Sequence, residues 1–268
     1  MRIIPIDDPD DPRIAAYRDI RERDLTGREG LFIAEGEVVL RTLVSGASRC
    51  RARSMLLADK RVDALGALIA AAAEGAPVYA ASQSVLDAIA GFPLHRGILA
   101  LGEKAGPVEA ATLLAGLGQT AVVAAASGLG NHDNIGGLFR NAAAFGADAV
   151  WLDDLCGDPF YRKSIRVSVG AVLRTPIIAP APLETMIDML EQAGFEVIAL
   201  TPSAGEALAD LKPGGRRALL LGSEGPGLPE AVIRRCRAVG IRMSGGFDSL
   251  NVAATSAIAL HQLTTARG

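Results

Sequence analysis

The sequence predicts an α/β protein whose second half holds a parallel sheet covered by helices. Three observations carry this. Strand-like and helix-like segments alternate along the chain, the order expected of a parallel sheet covered on both faces. Residues 120–126 form a continuous apolar run, as a strand buried on both faces requires. Glycine is frequent, 30 of 268 residues, while aromatics make up 4%, which suits close helix–sheet packing and several functional turns. With 50% hydrophobic and 21% charged residues the chain can build a sizeable core, so disorder is excluded as its main state.

The elements follow in chain order from periodicity and turn residues. Residues 14–25 carry Arg18, Arg21 and Arg23 among apolar positions and read as an amphipathic helix. Residues 31–36 read as a strand and turn, 37–45 as a helix, 54–58 as a strand, 62–73 as a helix and 77–80 as a strand. A short helix at 84–90 and a strand at 97–101 complete a first α/β domain, residues 1–103. Residues 108–117 could form a helix, but Gly106-Pro107 and Gly116 to Gly118 at its ends suggest a linker, 104–118. In the second domain, 119–268, the strand 120–126 leads through a Gly/Asn loop into a helix at 135–145. Then come a strand at 149–152, helices at 161–169 and 182–194, strands at 196–200 and 218–221, a helix at 229–236, a strand at 239–243 and a final helix at 250–264.

Charge and composition exclude several functions. The net charge is −3, so any nucleic-acid contact must be local rather than polycationic. Such a local patch exists: residues 159–183 hold Arg162, Lys163, Arg166 and Arg174 and no Asp or Glu. Arg49, Arg51, Arg53, Lys60 and Arg61 form a second candidate; a solvated surface face is the plain alternative for both. Cys50, Cys156 and Cys236 are odd in number and widely spaced, and His95, His132 and His261 do not cluster, so a reduced cytoplasm and no metal are expected. The first residues are acidic and lack a long apolar stretch, and no apolar run reaches ~18 residues, so neither a signal peptide nor a membrane span is expected.

Chemistry is expected in three Gly-rich loops, because ligands of such sheets sit at the carboxyl ends of strands. The first, 127–136, offers Gly128-Leu129-Gly130, but Asp133 stands where a dinucleotide fingerprint needs its third glycine, which argues against a nucleotide-dependent oxidoreductase. It continues through Asn134 to Arg140; as a plain alternative Asn134 is a helix cap and Arg140 a surface ion-pair partner. The second loop carries Gly222, Ser223, Glu224, Gly225 and Gly227, bare backbone beside one carboxylate. The third runs from Ile241, Arg242 and Met243 to Ser249, Leu250 and Asn251, where Ser249 or Asn251 can cap the last helix or help hold a ligand.

Taken together, the loops resemble the three motifs of the SpoU/TrmH-type RNA 2′-O-ribose methyltransferases of the SPOUT superfamily. The first motif is matched by Asn134, Gly136, Arg140, Ala142, Phe145 and Gly146, the second by Gly222, Ser223, Glu224 and Gly227, and the third by Ile241, Met243, Ser249, Leu250, Asn251 and Val252. Residues 161–171 resemble the segment this family places beside its active site, and 29–36 with 95–100 resemble its auxiliary, ribosomal-protein-like RNA-binding domain. Arg242 departs from the usual proline, and Asn131 from a common aspartate.

The resemblance implies an α/β knot, a deep trefoil, with S-adenosylmethionine held by Gly222, Ser223, Glu224, Gly227, Ile241, Met243, Ser249, Leu250 and Asn251. It implies methyl transfer to a ribose 2′-hydroxyl of RNA, rRNA first with tRNA as the alternative, with Arg140, Asn134, Glu224, Ser249 and Asn251 catalytic and Arg140, Lys163, Arg162 and Arg166 on RNA. A homodimer, in which Arg140 faces the partner's cofactor, is implied too, and neither DNA nor membrane is expected as a partner. Arg140 is the family's proposed base; because arginine loses its proton only above pH ~12, a charged clamp on phosphate or alkoxide is an equally physical role. A non-catalytic RNA-binding or ribosome-assembly protein of the same fold is the competing reading.

Overall fold

The computed structural model describes residues 3–18, 29–72, 75–91, 94, 96–212, 214–245 and 249–265. The strands are β1 (Ile3–Ile6), β2 (Leu31–Glu35), β3 (Arg51–Ala58), β4 (Val78–Ala81), β5 (Ile98–Glu103), β6 (Ala121–Ala126), β7 (Ala149–Asp153), β8 (Ile177–Ala181), β9 (Glu196–Leu200), β10 (Glu206–Ala207), β11 (Arg216–Leu221) and β12 (Arg237–Gly240). The α-helices are α1 (Glu37–Leu43), α2 (Gly66–Ala71), α3 (Gln83–Ala90), α4 (Ala110–Gly116), α5 (His132–Phe145), α6 (Arg162–Val167), α7 (Leu183–Gln192), α8 (Glu230–Arg235) and α9 (Val252–Thr264). They form two compact units. One comprises Met1–Ala105 with Asp158–Arg174, the other Gly106–Gly157 with Thr175–Gly268.

The first unit is built on a mixed sheet in the order β1-β4-β3-β5-β2. β1 and β3 run parallel to β4, while β5 pairs antiparallel with both β3 and β2. Pro5 sits in β1, an edge strand, where the missing N–H interrupts no inner ladder. Ile6, Tyr17, Leu56, Leu86 and Leu99 are buried together as its core, and the Tyr17 hydroxyl lies 2.6 Å from Ser54 Oγ. Residues 14–25 differ from expectation: Pro12–Tyr17 is a 3-10 turn capped by Asp11, and 19–25 lie outside the described residues. The expected helix 62–73 is likewise broken: Asp63–Leu65 is a 3-10 turn, and α2 spans only Gly66–Ala71.

The second unit holds an all-parallel sheet in the order β10-β12-β9-β11-β6-β7-β8. β6 (AVVAAA) is buried at every position; its small side chains let helices approach both faces. Trp151 in β7 is fully buried, and its Nε1 donates to Ala179 O at 2.9 Å, fastening the edge strand β8. The segment 104–118, expected as a linker with a helix at 108–117 as the alternative, holds α4, whose N-cap Glu109 accepts from Ala111 N and Thr112 N at 3.1 and 2.7 Å. The strand expected at 239–243 lies earlier, at Arg237–Gly240. There Arg237 pairs with Glu196 and Glu206 at 2.8 and 2.6 Å, tying β9, β10 and β12 at their starts. Among the described residues no helix is long and apolar enough to cross a membrane.

Candidate active site

A cavity of about 610 Å³ opens beyond the carboxyl ends of β9 and β11. One wall is the loop after β9, with Thr201, Pro202 and Ser203; a second is the loop after β11, from Gly222 to Leu228. Ile241 and Met243 after β12, and Ser249, Leu250, Asn251 and Val252 at the start of α9, close it. Every residue expected to hold a cofactor therefore lines one space. Thr201 to Ser203 were not singled out from sequence, although a strand running into Thr-Pro-Ser is the signal that locates such a wall.

Asn134 joins the loops although it does not line the cavity. It is 2% exposed, the third residue of α5. Its Nδ2 donates to Glu224 Oε1 at 2.6 Å, and its Oδ1 accepts from Asn251 Nδ2 at 2.8 Å. Asn251 Oδ1 in turn caps α9, accepting from Ala253 N and Ala254 N at 2.9 and 3.3 Å. One amide thus ties the first, second and third loops. The α5 cap is Asn131, whose Oδ1 accepts from Asp133 N at 2.9 Å, so the helix starts at His132 rather than 135.

Local chemistry fixes this arrangement. A Cβ on Gly222 would stand 2.5 Å from Gly227 C and Leu228 N, so only glycine lets the second loop fold back, closed by the Ser223–Gly227 bridge. Gly128, at φ +68°, donates its N–H to Asp153 Oδ1 at 3.0 Å, which pins the first loop to the end of β7. Nearby, burial and the Asp153 carboxylate push the Cys156 thiol up to about 12. Helices α5 and α9 touch closely because a Cβ on Gly137 would stand 2.4 Å from Ala253 Cβ. Asn141 Nδ2 donates across the same seam to Ala253 O and Ser256 Oγ at 2.6 and 2.8 Å.

Arg140 is not brought into this cavity. Six residues after Asn134 on a helix of 3.6 residues per turn, it points to another side of α5 and is exposed. No carboxylate among the described residues lies within 4.0 Å of its guanidinium. Arg162, Lys163 and Arg166 lie on α6, in the other unit. There Arg162 Nη1 and Arg166 Nη1 each stand 4.0 Å from Glu35 Oε2. The second basic group is split: Arg51 and Arg53 lie at the start of β3, whereas Lys60 and Arg61 follow its end, with Arg61 2.7 Å from Glu37.

Comparison with known proteins gives four findings. The sequence profile of the SpoU rRNA Methylase family matches residues 121–261, which hold all three loops. A protein named as an uncharacterized tRNA/rRNA methyltransferase of Mycobacterium tuberculosis is 39% identical over 267 residues, 96% of this chain and 90% of the relative. The 23S rRNA (guanosine-2′-O-)-methyltransferase RlmB of a Burkholderia species is 29% identical over 199 residues, 74% of this chain and 81% of its own. Among solved structures, the AdoMet-bound rRNA methyltransferase of Sinorhizobium meliloti superposes with a TM-score of 0.82 over 97% of both chains at 22% identity, the same fold.

Proposed function

The chain belongs to the SpoU rRNA methylase family, and from that premise we propose that it transfers a methyl group from S-adenosylmethionine to a ribose 2′-hydroxyl of RNA. The observation that carries this reading is the Asn134 amide, which binds Glu224 and Asn251 and so makes three loops one site. The cavity suits the cofactor. Its ~610 Å³ lies within the ~300–1,000 Å³ typical of ligand sites, and bare backbone from Gly222 to Gly227 alternates with the apolar Ile241, Met243, Leu228 and Leu250. These residues would hold the nucleoside and amino-acid parts. When bound, the cofactor supplies an electrophilic sulfonium methyl.

The protein's own residues do the rest. Asn134 keeps the Glu224 carboxylate and the Asn251 amide in fixed orientations, so little reorganisation is needed when the ribose arrives. Ser249 lines the cavity. Arg140, a planar multi-donor cation, grips an RNA phosphate or the alkoxide that develops as the hydroxyl releases its proton to solvent. Since Arg140 faces away from its own cavity, the reading includes a homodimer in which it serves the partner's. Ile258, 45% exposed on α9 beside a second cavity of about 560 Å³ lined by Phe145 and His261, is apolar surface for a second copy to cover. The unit of Met1–Ala105 is taken as the auxiliary RNA-binding domain, the carboxyl-terminal unit as the knotted catalytic domain, rRNA as the substrate and the cytoplasm as the location.

The test is incubation with methyl-labelled S-adenosylmethionine and separate pools of unmodified rRNA and tRNA, followed by digestion to nucleosides. A labelled 2′-O-methyl nucleoside from rRNA is expected. Label from tRNA alone redirects the substrate assignment. Label in neither pool, with no cofactor binding, overturns the enzymatic reading in favour of a non-catalytic RNA-binding protein.

A further inference from the structure

Glu35 ends β2 with its side chain only 11% exposed, and its Oε2 is buried without a hydrogen-bond donor. An inward carboxylate is costly unless charge compensates it. Here the compensation is unusual: Arg162 Nη1 and Arg166 Nη1, one turn apart on α6, stand at the same 4.0 Å from that single oxygen. At this distance the carboxylate attracts both guanidiniums yet takes a hydrogen bond from neither. A third guanidinium is close by. Gly36, at φ +90°, has Arg96 Nη1 3.0 Å from where a Cβ would be.

The frame that carries the pair is firmly fixed. Phe160, just before α6, lies 5.4 Å from Phe32 of β2 between ring centroids. Lys104 Nζ lies 2.6 Å from Asp158 Oδ2 and 5.1 Å from the Phe160 ring centroid. Beyond α6, Gly170 lies against Thr42, and Arg49 N donates to Leu173 O at 2.8 Å. Two arginine side chains, 33% and 50% accessible, are thus gathered on a segment held at both ends. A bridging oxyanion between two guanidiniums is the geometry by which a phosphodiester is gripped.

We propose that Glu35 is a positioning residue for RNA binding, holding Arg162 and Arg166 as one unit that grips a single backbone phosphate. The proposal rests on the RNA reading above and adds a residue to it. Glu35 touches no RNA; it aligns the arginines and supplies the attraction that offsets their mutual repulsion.

The experiment measures binding of the full-length protein to unmodified rRNA by filter retention across a KCl series, with S-adenosylmethionine affinity and thermal unfolding as companions. Each gripped phosphate contributes about 0.7–0.9 to the slope of log K against log salt. E35Q is expected to weaken RNA binding about 5–10-fold and to flatten the slope by about one such unit, with cofactor affinity unchanged. R162A, R166A and the double variant should each lose that same unit, because half a grip does not hold. E35Q added to R162A/R166A should change nothing further.

E35Q binding RNA as tightly as the wild type, or more tightly, overturns the proposal; in the second case Glu35 competes with the phosphate. An equal loss in the R162A/R166A background makes its role merely structural and also overturns it. If E35Q does not fold, the two single arginine variants decide: independent, additive losses sink the pairing, and one shared loss supports it. A wild type that binds no rRNA while binding S-adenosylmethionine sinks the RNA reading itself, a result distinct from an unaffected E35Q.

Discussion

Replacing Asn134 by alanine separates the three loops while leaving every cavity-lining side chain in place. The side chain makes one charge-assisted hydrogen bond, to Glu224 at 2.6 Å, and one neutral bond, from Asn251 at 2.8 Å. The first class contributes about 1.5–3 kcal/mol and the second about 0.5–1.5 kcal/mol. Glu224 and Asn251 are both exposed, so water recovers part of each, and a net loss of about 2 kcal/mol is expected. At about 2–4 °C per kcal/mol, Tm falls by roughly 4–8 °C. Because the freed groups border the cavity, S-adenosylmethionine binding weakens about tenfold, the equivalent of about 1.4 kcal/mol. Titration calorimetry on wild type, N134A, E224A and the double variant measures this. The cycle should show coupling of about 1–2 kcal/mol between the two positions. Wild-type affinity and methylation in N134A, or strictly additive losses, would refute the view that this amide unites the site.

Four further outcomes follow from the same geometry. G222A, whose Cβ meets backbone at 2.5 Å, should abolish cofactor binding, whereas G130A, with nothing within 4 Å, should bind normally by calorimetry. G137A should lower stability by about 1–3 kcal/mol through overpacking against Ala253, and A253G should restore most of it in denaturant unfolding. R140A should lose methylation while keeping cofactor affinity; mixing it with G222A should restore activity if Arg140 serves the partner's cavity, and no restoration would argue for action within one chain. Cys156, its thiol raised from 9.0 to about 12, should resist iodoacetamide at pH 8 in the folded protein. The unfolded chain loses this proton near pH 9 and the folded chain near 12. Stability contributed by the neutral thiol is therefore intact below pH 9 and declines between 9 and 12, a decline that C156A should reduce in unfolding titrations.

The catalytic half was legible because its strands are buried on both faces and read as apolar runs. β6 and β9 follow the sequence closely for that reason. What escaped were three of the four sheet edges, β1, β8 and β10. β1 contains Pro5 and β8 contains Pro180; both are edge strands, where proline is tolerated but erases the sequence signature. β10 is two residues long and held by the Glu206–Arg237 pair, which no periodicity reveals. The residues around the cavity were recoverable from glycines and strand ends, but the way they connect was not. Nothing in spacing distinguishes a capping Asn134 from one that reaches 90 positions along the chain to Glu224. Nor does sequence order show Glu35 beside Arg162 and Arg166.

The interleaving of the two units bears on how such a gene can be recombined. Residues 158–174 are encoded between β7 and β8 yet belong to the unit of Met1–Ala105. A fragment starting at residue 106 would carry Phe160, Ile165, Val172 and Leu173, all buried in the intact chain, without the sheet that covers them. A single crossover between homologous genes at the 105/106 junction would assemble the amino-terminal unit from two parents. Success of the chimera would then hinge on whether one parent's Phe32, Glu35 and Thr42 accept the other's Phe160, Arg162 and Gly170. Exchange of the unit of Met1–Ala105 therefore requires grafting two separate stretches of sequence together, 1–105 and 158–174.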